Sequence, residues 1–481
     1  MNSKIIIGNS VSYLQNIPHF VFQKIRKDVS FYDMQKYFRS KNWDYARTSL
    51  IESDGSFSTG LAKRVFISCQ THGVPVNIID PRIIPDLGYL KLSQLISEPV
   101  AYDDQILATK SLLNSPAGRG IIVLPTGVGK TRSMKDTIQQ LGVNTLVVVP
   151  SLTLKLQIYL YLCACFGEDN VGIFDKLGNN KPVSIANLDA LENCSPEMFS
   201  FFDCVYFDEW HHEACETARM IDKKLFGDIY YKFAQTATNF RNSKNEQILL
   251  DCIMANQTYS LSVVDAIKKG YILPIQPIFH NIGDIPVPKE YQHGDVPWGE
   301  PEDNDPWDEY KKGLDYTKDI YPNWIVHHDE RNEKLGKSAI LMSHKQKIPT
   351  LVLVKNIEHG HIFNDIIPGS TFIHGELGQK HNFETVEAFN RGEIPNLIGT
   401  SVIGEGIDTK EAGAIVLGSG EKSKTRVMQN TGRVVRKPQR FHQEVGFVVD
   451  AFDDGHKTTK KHSNARKRIY QKEFGVKISK V

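Results

Sequence analysis

The stretch IIVLPTGVGKTRSMKDTIQQL, running from Ile121 to Leu141, decides the fold. A short apolar run, Ile121 to Leu124, gives way to a loop with two glycines and then to a polar segment of helical length. A phosphate chain needs backbone N–H groups converging on it with no side chain in between, which Gly127 and Gly129 permit. Lys130 adds a positive charge for the outer phosphates, and Thr131 a hydroxyl for Mg²⁺, at a helix N-terminus whose dipole favours anions. Pro125-Thr126-Gly127-Val128-Gly129-Lys130-Thr131 is therefore read as a nucleotide-binding loop between a strand and a helix. Leu124 stands where the strictest form of such loops has glycine.

Outward from this loop, short β-branched runs recur between helix-length segments: TLVVV (145–149), VSIA (183–186) and CVYF (204–207). A second series follows at TLVLV (350–354), STFI (370–373), NLIGT (396–400), AIVL (414–417) and VGFVV (445–449). Continuous apolar runs of this length fit parallel strands covered on both faces, so the pattern predicts an α/β chain with two parallel-sheet domains. CVYF runs into Asp208-Glu209-Trp210-His211-His212, which sets adjacent carboxylates at a strand's carboxyl edge, where α/β sites are built. Asp208 can hold Mg²⁺ and Glu209 can polarise an attacking water. Neighbouring histidines point apart on a helix, which disfavours zinc at His211 and His212. In the second series, Arg433 and Arg436 of QNTGRVVR (429–436) would share one face if helical, and arginines presented to a transferring phosphoryl group stabilise its charge. GSGEKSKT (418–425) imitates a second phosphate loop, but no glycine precedes a Lys-Ser or Lys-Thr pair at the required spacing, and it is assigned no nucleotide.

The chain has 481 residues, room for about three domains. Its 57 basic and 56 acidic residues leave a formal charge of +1, so no global field points to nucleic acid or membrane. Seven cysteines without a CxxC pair argue against a disulfide framework or structural zinc and for a reducing cytosol. No apolar run reaches the length of a membrane span, and no signal-peptide core follows the amino terminus, so a soluble intracellular protein is expected. Charge is concentrated locally. Residues 284–309 carry five prolines and nine acids against one base, Lys289, and are read as an exposed linker or insertion. Residues 457–481 carry nine bases against one acid, Glu473, which favours phosphate contact. Near the amino terminus aromatics and bases interleave (Phe22, Lys24, Phe31, Tyr32, Lys36, Tyr37, Phe38, Lys41, Trp43), a pattern able to stack bases and hold phosphates. The expected division is 1–95 as an accessory DNA-binding domain, 96–280 and 326–456 as the α/β domains, 281–325 as the linker and 457–481 as a short basic helix or tail.

In their order along the chain, these motifs resemble a DExH-type superfamily 2 helicase. YDDQ (102–105) is placed like the adenine-reading motif, PTGVGKT like motif I, VVPSLTLKLQ (148–157) like motif Ia and DEWH (208–211) like motif II. Thr236-Ala237-Thr238 resembles motif III, with Asn239 where proline is usual; LVLVKNIEHG (351–360), GTSVIGEGIDT (399–409) and QNTGRVVR resemble motifs IV, V and VI. More narrowly, NWDYARTSLIESDGSFSTGL (42–61), DEWHH and QNTGRVVR resemble phage branch-migration helicases of the UvsW type. The resemblance implies two RecA-like domains that use ATP and Mg²⁺, with nucleic acid lying across both. It implies catalytic roles for Lys130, Asp208, Glu209, His211, Gln429, Arg433 and Arg436, and nucleotide contacts from Gln105, residues 125–131, Gly406 and Asp408. Mg²⁺ would rest on Thr131 and, through water, on Asp208. The expected substrate is forked or branched DNA, duplex and single-stranded, handled by a monomer in the cytoplasm, the host's if the gene is a phage's. A restriction or repair motor subunit, an RNA helicase and a nucleotide-switched DNA clamp remain open on these motifs.

Overall fold

TLVVV and CVYF are buried along their whole length, as strands are when helices cover both faces of a parallel sheet. The computed structural model describes residues 2–191, 193–210, 216–237, 248, 251–255, 257–283, 316–400 and 408–478. They divide into two compact units, 1–261 and 262–481.

The first unit opens with β1 (Lys4–Ile6), β2 (Val11–Gln15), α1 (His19–Asp28), β3 (Ser30–Tyr32), α2 (Met34–Ser40), α3 (Trp43–Ala46), β4 (Arg47–Ser49), β5 (Ser56–Ser58), α4 (Ala62–Thr71) and β6 (Asn77–Ile79). Four of these strands form a small sheet in the order β5-β2-β1-β6, with only β6 running parallel to its neighbour. Strands of three to five residues are too short to write an alternating pattern, which is why the sequence shows no strand rhythm here. The core of this region, built on Ile5, Leu14, Ile25, Phe57, Leu61 and Val65, also takes in Ile248 and Cys252. Gly60 lies so close to that later segment that a Cβ on it would stand 2.1 Å from the Asp251 carbonyl oxygen. The accessory region is therefore packed into the first α/β layer, not tethered beside it.

That layer contains α5 (Asp103–Leu113), β7 (Arg119–Val123), α6 (Lys130–Leu141), β8 (Thr145–Val149), α7 (Leu152–Phe166), β9 (Val171–Ile173), β10 (Val183–Asn187), β11 (Cys204–Phe207), α8 (Glu216–Leu225), β12 (Tyr231–Thr236) and β13 (Gln257–Ser260). Its seven strands are parallel, in the order β13-β7-β12-β11-β8-β10-β9. Cations are buried within its sheet: Lys232 in β12 bonds to Asp222 of α8 and to Ser10 of the accessory region, and Arg119 in β7 bonds to the Ile253 carbonyl. Burial pushes the Lys232 ammonium down to about 7, with the charge of Asp222 opposing the fall.

The second unit holds α9 (Val263–Lys268), β14 (Ile275–Ile282), the π-helical segment Tyr316–Ile325, α10 (Asp329–Ile340), β15 (Thr350–Leu353), α11 (Ile357–Ile366), β16 (Ser370–Ile373), α12 (Gln379–Arg391), β17 (Asn396–Gly399), β18 (Ala414–Leu417), α13 (Lys424–Thr431), β19 (Gly446–Asp453) and α14 (Lys457–Phe474). Its six parallel strands run in the order β14-β19-β18-β15-β17-β16. The boundary expected at 280 falls instead before Ser262, because β14 pairs with β19 along its full length. The basic tail also differs from expectation. It forms an 18-residue helix whose buried stripe includes His462, Arg466, Tyr470 and Phe474, so Arg466 belongs to the interior and not to a phosphate-binding surface. Lys467 lies over the Phe452 ring at 3.7 Å.

Removing one partner of a buried ion pair strands the other's charge, at a cost of about 3–5 kcal/mol. Asp222→Ala is expected to lower the unfolding free energy of the first unit, measured by urea denaturation, by that order and its midpoint with it, and adding Lys232→Met to recover most of the loss. An unchanged midpoint in Asp222→Ala would show that the pair does not support this layer.

Candidate functional site

Leu124, just past β7, donates its N–H to the Thr236 carbonyl at the end of β12, at 3.1 Å. On the other side of β12, β11 is followed directly by Asp208, whose N–H reaches the Val148 carbonyl of β8 at 2.9 Å. Register alone thus brings the phosphate loop, Thr236 and the Asp208-Glu209 pair to the carboxyl edge of three adjacent strands.

The loop turns through left-handed backbone at Gly127 (φ +89°) and Gly129 (φ +90°), and Lys130 opens α6 with Thr131 beside it. Gly129 is doubly required, since a Cβ there would also stand 2.4 Å from Nε2 of Gln105. That nitrogen donates to the Val128 carbonyl at 2.7 Å, while Oε1 of Gln105 accepts from the Tyr102 N–H at 2.8 Å. The expected adenine reader is thereby buckled onto the phosphate loop. Pro125 closes the start of the loop by accepting from the Val128 N–H at 3.2 Å, and Thr126 lies between them.

Lys130 Nζ lies 3.3 Å from Glu209 Oε1, an ion pair that joins motif I to motif II. Glu209 sits at φ +48°, a left-handed conformation that costs a non-glycine residue about 1–3 kcal/mol and clusters at functional sites. The turn is pinned by Asp208 Oδ1, which accepts from the Glu209 N–H at 2.8 Å and from Gln235 Nε2 at 2.9 Å. Trp210 is fully buried and meets Phe207 of β11 edge-on. Burial, with the neighbouring Glu209 charge adding to it and Lys130 opposing, raises the Asp208 carboxyl to about 6.

In the second unit, Gln429 lies on α13, but Arg433 and Arg436 follow its end at Thr431 in successive turns, so they do not share a helix face as expected. Val434 and Val435 between them are buried, and Leu273 N–H bonds to the Val435 carbonyl at 2.6 Å, which fixes the backbone of both arginines. Arg436 pairs with Asp408, and Arg433 Nη1 is 3.5 Å from Thr409 Oγ1, so the end of motif V and motif VI meet.

His211, Gly406, Thr238, Asn239 and the acidic stretch 284–309 lie outside the described residues. Gln235 was not singled out from the sequence; its signal is an amide near the end of the fully buried strand YKFAQT. Among the described residues no group of three His, Cys, Asp or Glu side chains could hold a metal, none of the six described cysteines is in a disulfide, and no helix is long and apolar enough to cross a membrane. Mg²⁺ still fits Thr131 and Asp208. It draws most of its ligands from phosphate oxygens and water, and both recorded hydrogen bonds to Asp208 fall on Oδ1.

Residues 98–241 match the family model described as type III restriction enzyme, res subunit, and residues 330–438 match the helicase conserved C-terminal domain. The chain is 24% identical over 413 residues to the DNA 3'-5' translocase XPB2 of Sulfurisphaera tokodaii, covering 76% of this chain and 83% of that protein. It is 23% identical over 488 residues to the ATP-dependent DNA helicase uvsW of Enterobacteria phage T4, covering 93% and 90%. Among solved structures, S. cerevisiae Dbp5 bound to RNA and ADP BeF3 superposes with a TM-score of 0.52 at 15% identity, over 78% of this chain and 87% of that one, a likeness of fold alone.

Mg²⁺ competes with the proton for Asp208, and the carboxyl is raised to about 6, so Mg²⁺-dependent nucleotide binding should weaken as pH falls through about 6. Glu209→Gln removes the repelling neighbour and should move the midpoint to lower pH. Titrations of both proteins with a fluorescent nucleotide at fixed Mg²⁺ would measure this; a midpoint that stayed in place or rose would contradict the contribution of Glu209 to the shift.

Proposed function

We propose that this chain, a superfamily 2 helicase with a res-subunit domain and a helicase conserved C-terminal domain, is an ATP- and Mg²⁺-driven DNA motor that unwinds or branch-migrates forked and junction DNA. The observation that carries the reading is the division of the hydrolytic groups. The phosphate loop, Lys130, Asp208 and Glu209 belong to one unit, and Gln429, Arg433, Arg436 and Asp408 to the other. DNA as the track is supported by the two relatives above, both named as DNA motors. The res-subunit match favours a second reading, the motor of a restriction complex, which requires a nuclease partner.

The residues act as follows. Backbone N–H groups at the head of α6 cradle the phosphates of ATP, and Lys130 neutralises them. Taking Lys130 from its pair with Glu209 frees that carboxylate to accept a proton from the attacking water. Mg²⁺ held through Thr131 and Asp208 would supply charge neutralisation on the phosphates. Arg436 and Arg433 stabilise the charge that spreads over the transferring phosphoryl group. DNA remodelling in replication, recombination or repair is the corresponding role.

Junction recognition needs more than grip on a phosphate backbone, which carries no information about a branch. The accessory region supports that role with an aromatic platform between β3 and β4. Trp43 stacks on Tyr37 at 3.9 Å and meets Tyr32 edge-on, Arg47 lies over Tyr32 and Lys41 over Phe38. Phe38, Trp43 and Tyr45 are 42%, 41% and 65% exposed, unusual for large aromatics unless a partner covers them. Exposed rings between cations suit unpaired bases at a fork.

Arg436→Ala should cut kcat for DNA-stimulated ATP hydrolysis about a hundredfold and leave KM for ATP nearly unchanged. A raised KM at unchanged kcat would remove the finger role. The double substitution Phe38→Ser, Tyr45→Ser should keep ATPase on linear duplex while the preference for forked over linear DNA disappears. If the preference survived, the platform would not be the branch reader.

A further inference from the structure

The stretch that imitates a phosphate loop, Gly418 to Glu421, is the turn between β18 and α13, and three buried or half-buried side chains converge on its backbone. Arg331 of α10 donates Nη1 to the Gly418 carbonyl at 2.7 Å, Tyr316 donates its hydroxyl to the Ser419 carbonyl, and Arg466 of α14 donates Nη1 to the Gly420 carbonyl. Three consecutive carbonyls of one turn are thus held by donors from three elements that are distant in sequence.

The donors are themselves fixed. Arg331 Nε bonds to Asp453 at 2.8 Å, and Arg466 Nε to both oxygens of Asp450 at 3.1 and 2.8 Å; both guanidiniums are essentially unexposed. Tyr470 adds a hydrogen bond to Asp450 at 3.0 Å. The next residue, Glu421, is clamped between Lys355 at 2.9 Å and Arg426 at 2.5 Å. Gly420 adopts φ +65°, and a Cβ there would meet the Tyr316 hydroxyl oxygen at 2.9 Å, so the turn has no freedom to accept another residue type.

α14 is tied to β19 by the Arg466–Asp450 pair, by Arg466 Nη2 donating to the Ala451 carbonyl at 2.7 Å, by the Asp453 N–H donating to Ser463 Oγ at 3.1 Å and by the Tyr470 hydroxyl on Asp450. The additional fork of Arg466 onto Gly420, and its two companions on Gly418 and Ser419, act on the turn alone. That turn launches α13, a rigid rod of about 12 Å at 1.5 Å per residue, which carries Gln429 and leads directly to Arg433 and Arg436. A salt bridge from Lys424 to Glu473 at 2.7 Å ties the start of the rod to α14 as well.

We propose that Tyr316, Arg331 and Arg466 are positioning residues for ATP hydrolysis, which hold the Gly418–Gly420 turn and through α13 set the two motif VI arginines. The inference rests on the finger role proposed above. Its functional weight comes from the steep dependence of rate on placement, where a misplacement of about 1 Å can cost a hundredfold.

Tyr316→Phe removes one hydroxyl and keeps the ring. It should lower kcat about fivefold, with KM for ATP within about twofold and the melting temperature unchanged; Arg466→Lys, which keeps the charge but loses the fork, should lower kcat further. In an Arg436→Ala background Tyr316→Phe should have a diminished effect, because one of the two arginines through which the hydroxyl acts is gone. Wild-type kcat in Tyr316→Phe would overturn the proposal, as would an undiminished fivefold loss in the Arg436→Ala background. Wild-type turnover in Arg436→Ala alone would instead overturn the finger role, and the positioning role with it. The tyrosine variant keeps the test open if Arg466→Lys fails to fold.

Discussion

A chain of phosphates can be held by backbone only where the backbone has no side chains in the way, and this constraint governs the first unit. Gly127 and Gly129 accept left-handed backbone at no steric cost. Gly129 is further confined by the Gln105 amide, packed where a Cβ would be. The loop so defined must follow a strand and open a helix, and the strand must have neighbours whose carboxyl ends bring acidic groups alongside. The order β7-β12-β11 meets that requirement, and Gln235 on the central strand steadies Asp208. At that edge Glu209 takes its left-handed backbone and pairs with Lys130.

In the second unit, the two adjacent valines of RVVR are buried, and the flanking arginines meet the end of motif V, Arg436 on Asp408 and Arg433 at Thr409. Behind them lies a network of buried charges that reaches back to α10 and forward to the last helix. Such networks are poor bargains for stability alone, because desolvation offsets most of the attraction. They are good at fixing geometry, and here the geometry concerns one turn.

What could be read in the sequence followed the local chemistry. The phosphate loop, the acidic pair and the two strand series each depend on neighbouring residues, so they were legible as contiguous stretches. The assignment of β14 depended on a partner strand about 170 residues later, which no local pattern records. Arg466 was hidden for a different reason: within Arg466-Lys467-Arg468 it looks like one more surface charge. The buried stripe His462, Arg466, Tyr470, Phe474 has helical spacing, and its two aromatics were the available sign that this face points inward. The three-residue strands of the accessory region fell below the length at which periodicity can be seen. Its aromatic and basic composition was visible, but the sequence did not distinguish rings left exposed from rings in the core.

Coupling between ATP turnover and strand separation is the central claim. Its most direct measurement is displacement of a labelled strand from a synthetic fork under single-turnover conditions, with ATP, with a non-hydrolysable analogue and without nucleotide. Displacement is expected with ATP and Mg²⁺ only, at a rate that rises in step with hydrolysis. Equal displacement with the analogue would contradict the motor and identify a clamp that opens forks by binding alone.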